Sequence, residues 1–139
     1  DGAVEAINRI SEHADVVILT NLMDHHNEAR GEQLRAVGID APVYTNQGGK
    51  GEALARIIER YSPSVAVFVD DLGHQHESVS EHLPDVWRLQ LVGEPILWQR
   101  VQASTSAHAR IDVWHEAEQW ITEKLLAGSA APIIQKEPA

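Results

Sequence analysis

The sequence predicts a single α/β domain with a mostly parallel sheet, and three observations carry that prediction. Its 139 residues, 43% hydrophobic and 23% charged, match one globular domain and leave no room for a second. Helical and strand-like periodicities alternate along the chain, the pattern of parallel strands joined by helical crossovers. The strand-like runs are continuously apolar and rich in β-branched residues, as expected of strands covered on both faces. A domain of this length buries enough surface to fold without disulfides or a structural metal. The absence of cysteine agrees, and it removes thiol catalysis and cysteine-ligated zinc.

The elements follow in order. Val4, Ile7 and Ile10 mark one helical face over about Ala3 to His13. Asp15 to Thr20 (DVVILT) reads as a buried strand. Asp24 is placed to cap the next helix, whose core-facing residues include Leu34 and Val37, and Gly38 supplies a left-handed stop. Pro42 to Thr45 is a short strand. Gly48-Gly49 breaks the chain before a helix from about Gly51 to Tyr61, with Leu54, Ile57 and Ile58 on one face and Ser62-Pro63 as terminator. Val65 to Val69 is the clearest strand. A helix over about Gln75 to His82 and a strand near Val86 to Leu91 come next. A last helix, from Asp112 to about Ala127, is expected to set Val113, Trp114, Trp120, Ile121 and Leu125 against the body. Residues 1–128 thus form the core, and the small, Pro-containing tail 129–139 is expected to be mobile. Gly93 to Arg110 reads as irregular. Trp98 within it is assigned to packing, with binding as the alternative.

Charge narrows the partners. Lys and Arg number 11 against 21 Asp and Glu, a net charge of −10, and such a chain is repelled by nucleic acid and by anionic membranes. No apolar run approaches the roughly 20 residues of a membrane helix, and the start does not resemble a signal peptide. The cytoplasm is the default expectation for location. Oligomeric state has no signature in the sequence.

In an open parallel sheet, the loops leaving strand C-termini share one edge, where such folds bind ligands. Thr20-Asn21, Gly48-Gly49-Lys50-Gly51 and Asp70-Asp71 all fall on that edge. Two carboxylates about 4 Å apart repel by about 4 kcal/mol at an effective dielectric of about 20. A positive group is therefore required beside Asp70 and Asp71. Lys50 is one candidate. A hard divalent cation such as Mg²⁺, held by carboxylates, water and substrate phosphate, is the other. Thr20 and the amides opening the following helix suit an anion. This combination describes a phosphoryl-transfer site acting on a small phosphorylated substrate better than any other chemistry the residues offer.

These segments resemble a known family. Val16 to Asn21 (VVILTN), Gly48 to Leu54 (GGKGEAL) and Val67 to Gly73 (VFVDDLG) look like motifs two, three and four of the haloacid dehalogenase-like (HAD) hydrolases, in order and spacing. The resemblance spans about Asp1 to Leu91. It implies a Rossmann-like three-layer sandwich and a Mg²⁺-dependent phosphatase. Thr20, with Asn21, would bind phosphoryl oxygens, Lys50 would steady the charge on phosphate and nucleophile, and Asp70 would ligate Mg²⁺ with Asp71 assisting. The short link from Thr45 to Lys50 leaves no room for a large cap there. The chain departs from the family in one respect: its motif-one strand, ending in Asp-x-Asp and supplying nucleophile and general acid-base, has no counterpart here. That strand lies centrally in the family's sheet, so its loss implies a gap with exposed ladder edges. The sequence also opens at Asp1, and its one Met is Met23, which leads us to expect the portion of such a protein that follows motif one.

Other chemistries fit less well. A transition-metal site from His25, His26, His74, His76 and His82 with the two aspartates is set aside because His74 and His76, two apart on a helix, face away from each other. Lys50 is followed by Gly51 where a P-loop needs Ser or Thr. A response-regulator receiver has its acidic pair first in the chain, the reverse of this order. No Gly-x-Ser-x-Gly elbow exists. Two hypotheses remain: the phosphatase, and a catalytically silent HAD-like binding or interaction module.

Overall fold

A computed structural model describes residues 2–21 and 26–134. The expected cap Asp24, together with His25, lies outside the described residues. The chain is α/β throughout, in the order α1 (Ala3–Ile10), β1 (Ile18–Thr20), α2 (Asn27–Ala36), β2 (Val43–Thr45), α3 (Gly51–Tyr61), β3 (Val67–Asp70), α4 (Gly73–His82), β4 (Trp87–Gln90), a 3₁₀ turn (Pro95–Leu97), β5 (Ala109–Arg110) and α5 (Trp114–Ala127). Among the described residues all ladders are parallel. They form two small sheets, one of β1 and β2 and one of β3, β4 and β5 in that order, a layout compatible with a Rossmann-like fold.

Alternation along β3 shows how the second sheet is covered. Val67 and Val69 face a cluster built from Ile10, Leu89, Leu91, Ala117 and Ile121, which brings α1 and α5 onto one side. Phe68 points to the other face, into a cluster with Val79 and Val86 that Leu54 and Ile58 of α3 join. Helices thus cover both faces, which is what a continuously apolar strand requires. Val16, two residues before β1, packs against the same cluster as Val67 and Val69, while no ladder joins the two sheets among the described residues.

The strands are shorter than the apolar runs that announce them. β1 pairs over three residues because its partner does: Pro42 has no N–H to donate, and only its carbonyl meets Ile18, at 2.9 Å. The helix starting at Ala3 ends at Ile10, and Ser11 to His13 form turns.

α2 ends as expected at Gly38, whose φ of 98° completes a Schellman motif: Ile39 N–H donates to Leu34 O at 2.8 Å and Gly38 N–H to Arg35 O at 3.0 Å. The core contact shifts with it. Val37, expected inside, is 58% exposed, and Ile39, one residue past the left-handed turn, is buried instead. Val113 is likewise exposed, since it precedes α5 in extended backbone, while Trp114, Trp120, Ile121 and Leu125 do meet the core.

One further expectation is corrected. The stretch Gly93 to Arg110 contains the 3₁₀ turn and β5, which adds an edge strand beside β4. The first residues of the tail are bonded to the body. Ser129 O accepts from Trp87 Nε1 (2.9 Å), Ala131 N–H donates to Asp85 O (3.0 Å), and His108 Nε2 bonds Pro132 O (2.8 Å). Among the described residues, no helix is long and apolar enough to cross a membrane.

Leu89, fully buried in the middle strand of the three, is expected to carry far more stability than Val37. Leu89→Ala should cost about 2 to 5 kcal/mol through lost transfer energy and the cavity left behind. Val37→Ala should stay within about 0.5 kcal/mol. Urea unfolding followed by tryptophan fluorescence measures both, and comparable costs at the two positions would refute this assignment of the core.

Candidate functional site

The site is built where β2 and β3 end. β3 terminates in Asp70, which stands in register beside Gln90 of β4 and is nearly buried. Its side chain is fully engaged: Oδ1 accepts from Leu72 N–H at 2.9 Å, closing an Asx turn, and Oδ2 accepts from Lys50 Nζ at 2.6 Å. Lys50 and Asp70 side chains are only 14% and 5% exposed, so water screens this ion pair weakly.

Lys50 occupies the N-cap position of α3, but lysine has no side-chain acceptor to cap a helix. The cap comes from α4. Gln75 Oε1 accepts from Lys50 N–H at 2.8 Å, and Ser78 Oγ accepts from Gly51 N–H at 3.0 Å. Gly51 is required by that approach, because a Cβ there would collide with the Ser78 carbonyl and His82 Nδ1. Gln75, itself buried, also donates through Nε2 to Gly48 O at 3.3 Å. The same oxygen receives Asn21 Nδ2 at 3.0 Å, which draws the end of β1 to the turn holding Lys50.

Of the residues singled out from the sequence, Lys50 and Asp70 therefore meet directly, Asp71 stands next to them within reach of both charges, and Asn21 reaches them through Gly48. Thr20 ends β1 one residue before Asn21 and is not among the groups bonded to Asp70. Gln75 and Ser78 went unnoticed in the sequence. Their trace is indirect: a helix opening on Gly-Gly-Lys-Gly has no cap of its own and must borrow one.

Asp71 is exposed, yet its carboxyl is raised above the ordinary aspartate range. Partial desolvation is the main cause. A hydrogen bond to the Asp70 carboxylate and repulsion from its charge add to it, and Lys50 opposes. One ammonium thus under-compensates two adjacent carboxylates. Hard oxygen donors short of positive charge suit Mg²⁺, which typically takes one or two carboxylates and keeps several waters. Among the described residues, no three His, Asp or Glu side chains stand close enough to hold a metal, so a cation here would rest on Asp70 and Asp71 with water.

His76 lies behind this turn, fully buried, its ring edge-on to Phe68. It bonds Asp70 O through Nε2 at 2.9 Å, and burial holds its pKa below the ordinary histidine value. The neutral ring then carries its proton on Nε2, donating to that carbonyl. His74 is exposed and His82 bonds Ser78 O, so these histidines do not converge on the aspartates.

Gln90, also fully buried, bridges the acidic turn to the next loop: Nε2 donates to Asp71 O and to Gln102 O, each at 3.1 Å, and Oε1 accepts from Ser104 N–H at 2.7 Å. Comparison with models of protein families, with curated proteins and with solved structures finds no match to this chain.

The raised Asp71 carboxyl has a sign. It binds its proton more tightly folded than unfolded, so the folded state loses relative stability as pH rises through the ordinary aspartate range towards the raised value. In metal-free buffer, Asp71→Asn should therefore be more stable than the parent at neutral pH, with the gap closing in acid. Urea unfolding of both proteins across that range measures it. A gap independent of pH would show that Asp71 carries no strain.

Proposed function

We propose that these residues belong to a HAD-like, Mg²⁺-dependent phosphomonoester hydrolase acting on a small phosphorylated substrate. The observation that carries this reading is the weakly screened Lys50–Asp70 ion pair beside an under-compensated Asp71 at a strand C-terminus, with Asn21 drawn to the same turn. In this reading Asp70 and Asp71 hold the cation, which neutralises phosphate charge and acts as a Lewis acid when bound. Lys50 spans carboxylate and phosphate, and Thr20 and Asn21 receive the phosphoryl oxygens. Gln75 and Ser78 fix Lys50 before substrate arrives, as electrostatic catalysis demands.

The nucleophile is assigned to an Asp-x-Asp strand, which these 139 residues do not contain. The packing of Val16 against the cluster under β3, without a ladder between β1 and β3, supports its position. β1 and β3 each have one ladder partner among the described residues, and a strand between them would bring its carboxylates to the edge that holds Lys50 and Asp70.

Mg²⁺ should raise the melting temperature of the chain, and Asp71→Asn should abolish most of that rise while still folding. Asp70→Asn is the less clean test, since it strands a largely buried ammonium and should cost about 3 to 5 kcal/mol. In a protein that also carries the Asp-x-Asp strand, Lys50→Ala should cut turnover of an aryl phosphate by about 10²- to 10³-fold. A melting temperature indifferent to Mg²⁺ in the parent would remove the metal from the proposal, and unchanged turnover in Lys50→Ala would remove Lys50.

A further inference from the structure

Residues 129–132 leave the end of α5 and cross the start of β4 as a strap, held by three bonds: Trp87 Nε1 donates to Ser129 O (2.9 Å), Ala131 N–H donates to Asp85 O (3.0 Å), and His108 Nε2 bonds Pro132 O (2.8 Å). Ala131 is buried by this arrangement. Of the three donors only His108 titrates near neutral pH. Its other ring nitrogen, Nδ1, accepts from Arg88 N–H at 3.0 Å. An acceptor at Nδ1 places the single ring proton on Nε2, where the Pro132 carbonyl needs it, so the two bonds together require a neutral imidazole. A second proton would go to Nδ1 and set two N–H donors against each other.

The surroundings give that proton no compensation. The ring stands edge-on to Trp87 with centroids 5.2 Å apart, and the Lys124 ammonium lies 4.8 Å from the centre of the same indole. Arg88 is fully buried, its guanidinium bonded to the main-chain oxygens of Ser106, Val86 and Pro84, and Asp85 is the acidic group that acts on it. Burial is the main cause holding the His108 pKa below the ordinary histidine value. Arg88, His76 of α4 and Lys124 of α5 add to it, and the Pro132 bond opposes. We propose that His108 is a latch that acid opens: a second proton on its ring turns it away from Arg88 N–H and releases residues 129–132 from the sheet. The closed strap binds this proton less tightly than the open one, so closure is favoured above the ordinary histidine range and is lost as pH falls through it. The strap lies where β4 begins, at the opposite end of the strand from Gln90 and Asp70, so the latch stands independently of the phosphate reading.

Amide hydrogen exchange followed by NMR across the histidine range tests it. Protection at Ala131 should fall about tenfold per pH unit below about pH 6.5, as one proton linked to opening requires. It should also stay well below the protection of Ile111, whose N–H donates to Gln90 O beside β5, because the strap opens without the rest of the fold. His108→Gln, which can donate and accept but does not titrate, should abolish the pH dependence at Ala131. Ring nitrogen shifts of the parent give a reading that needs no variant: the proton should be found on Nε2 while the strap is closed. Protection at Ala131 that is independent of pH, or equal to that of Ile111, would overturn the latch. So would a dependence that survives His108→Gln, or a closed strap whose ring carries its proton on Nδ1.

Discussion

The ion pair between Lys50 and Asp70 is the contact on which the arrangement of the two sheets depends. A two-stranded sheet of three-residue strands has little stability of its own. It is held at this edge because the turn after β2 is bonded to the end of β3 and to the first turns of α4. Removing an ion pair from water is costly, and the geometry meets that cost only by satisfying both partners. Asp70 does so completely, with Leu72 N–H on one oxygen and Lys50 on the other. Gln75 then takes the backbone of Lys50, so the same residue is fixed at its main chain and at its ammonium.

Asp71 breaks this economy. Asp70 is bonded through both carboxylate oxygens, whereas Asp71 adds a second negative charge within reach of one lysine, in a chain already at −10. A sequence selected for stability alone would place Asn or Ser there. Local conflict of this kind inside an otherwise consistent framework is what the proposed binding role of this turn rests on. His76 reinforces the framework, since a neutral ring donating to Asp70 O steadies the strand end without adding charge.

The parts of the fold that could be read in the sequence were those set by local rules. α3 matched from Gly51 to Tyr61 because a glycine turn, a clean apolar face and Ser62 at φ 47° define both ends and the buried stripe. Lys50, Asp70 and Asp71 were legible because parallel strands put their C-terminal loops on one edge. What failed depended on partners distant in the sequence. β1 is short because β2 is short, and Val37 and Val113 lie outside because chain direction changes within a residue of a helix end. Arg88 could not have been anticipated in the core. Its guanidinium is solvated there by Ser106 O (2.7 Å), Val86 O (2.9 Å) and Pro84 O (3.1 Å), acceptors whose placement follows only from the finished fold. Gln75 and Gln90 belong with it, as amides whose importance lies in two-sided bonding that no single position announces.

The division of the sheet follows from the same logic of ladders and cores. Val16, Val67 and Val69 lie over one apolar cluster, so the segment leading into the first sheet packs on the core of the second. The backbone layer does not, because no ladder bond joins β1 to β3. Burial alone would favour closing the two edges together, since an unpaired edge leaves N–H and C=O groups to water or to another strand. Side-chain bonds at the site set their relative position instead: Asn21 and Gln75 meet on Gly48 O, and Lys50 meets Asp70. The site thus acts as a spacer between the sheets as well as a cluster of charges. Its geometry and the spacing of the two edges are parts of one constraint, and a change that slackened the Gly48 turn would disturb both.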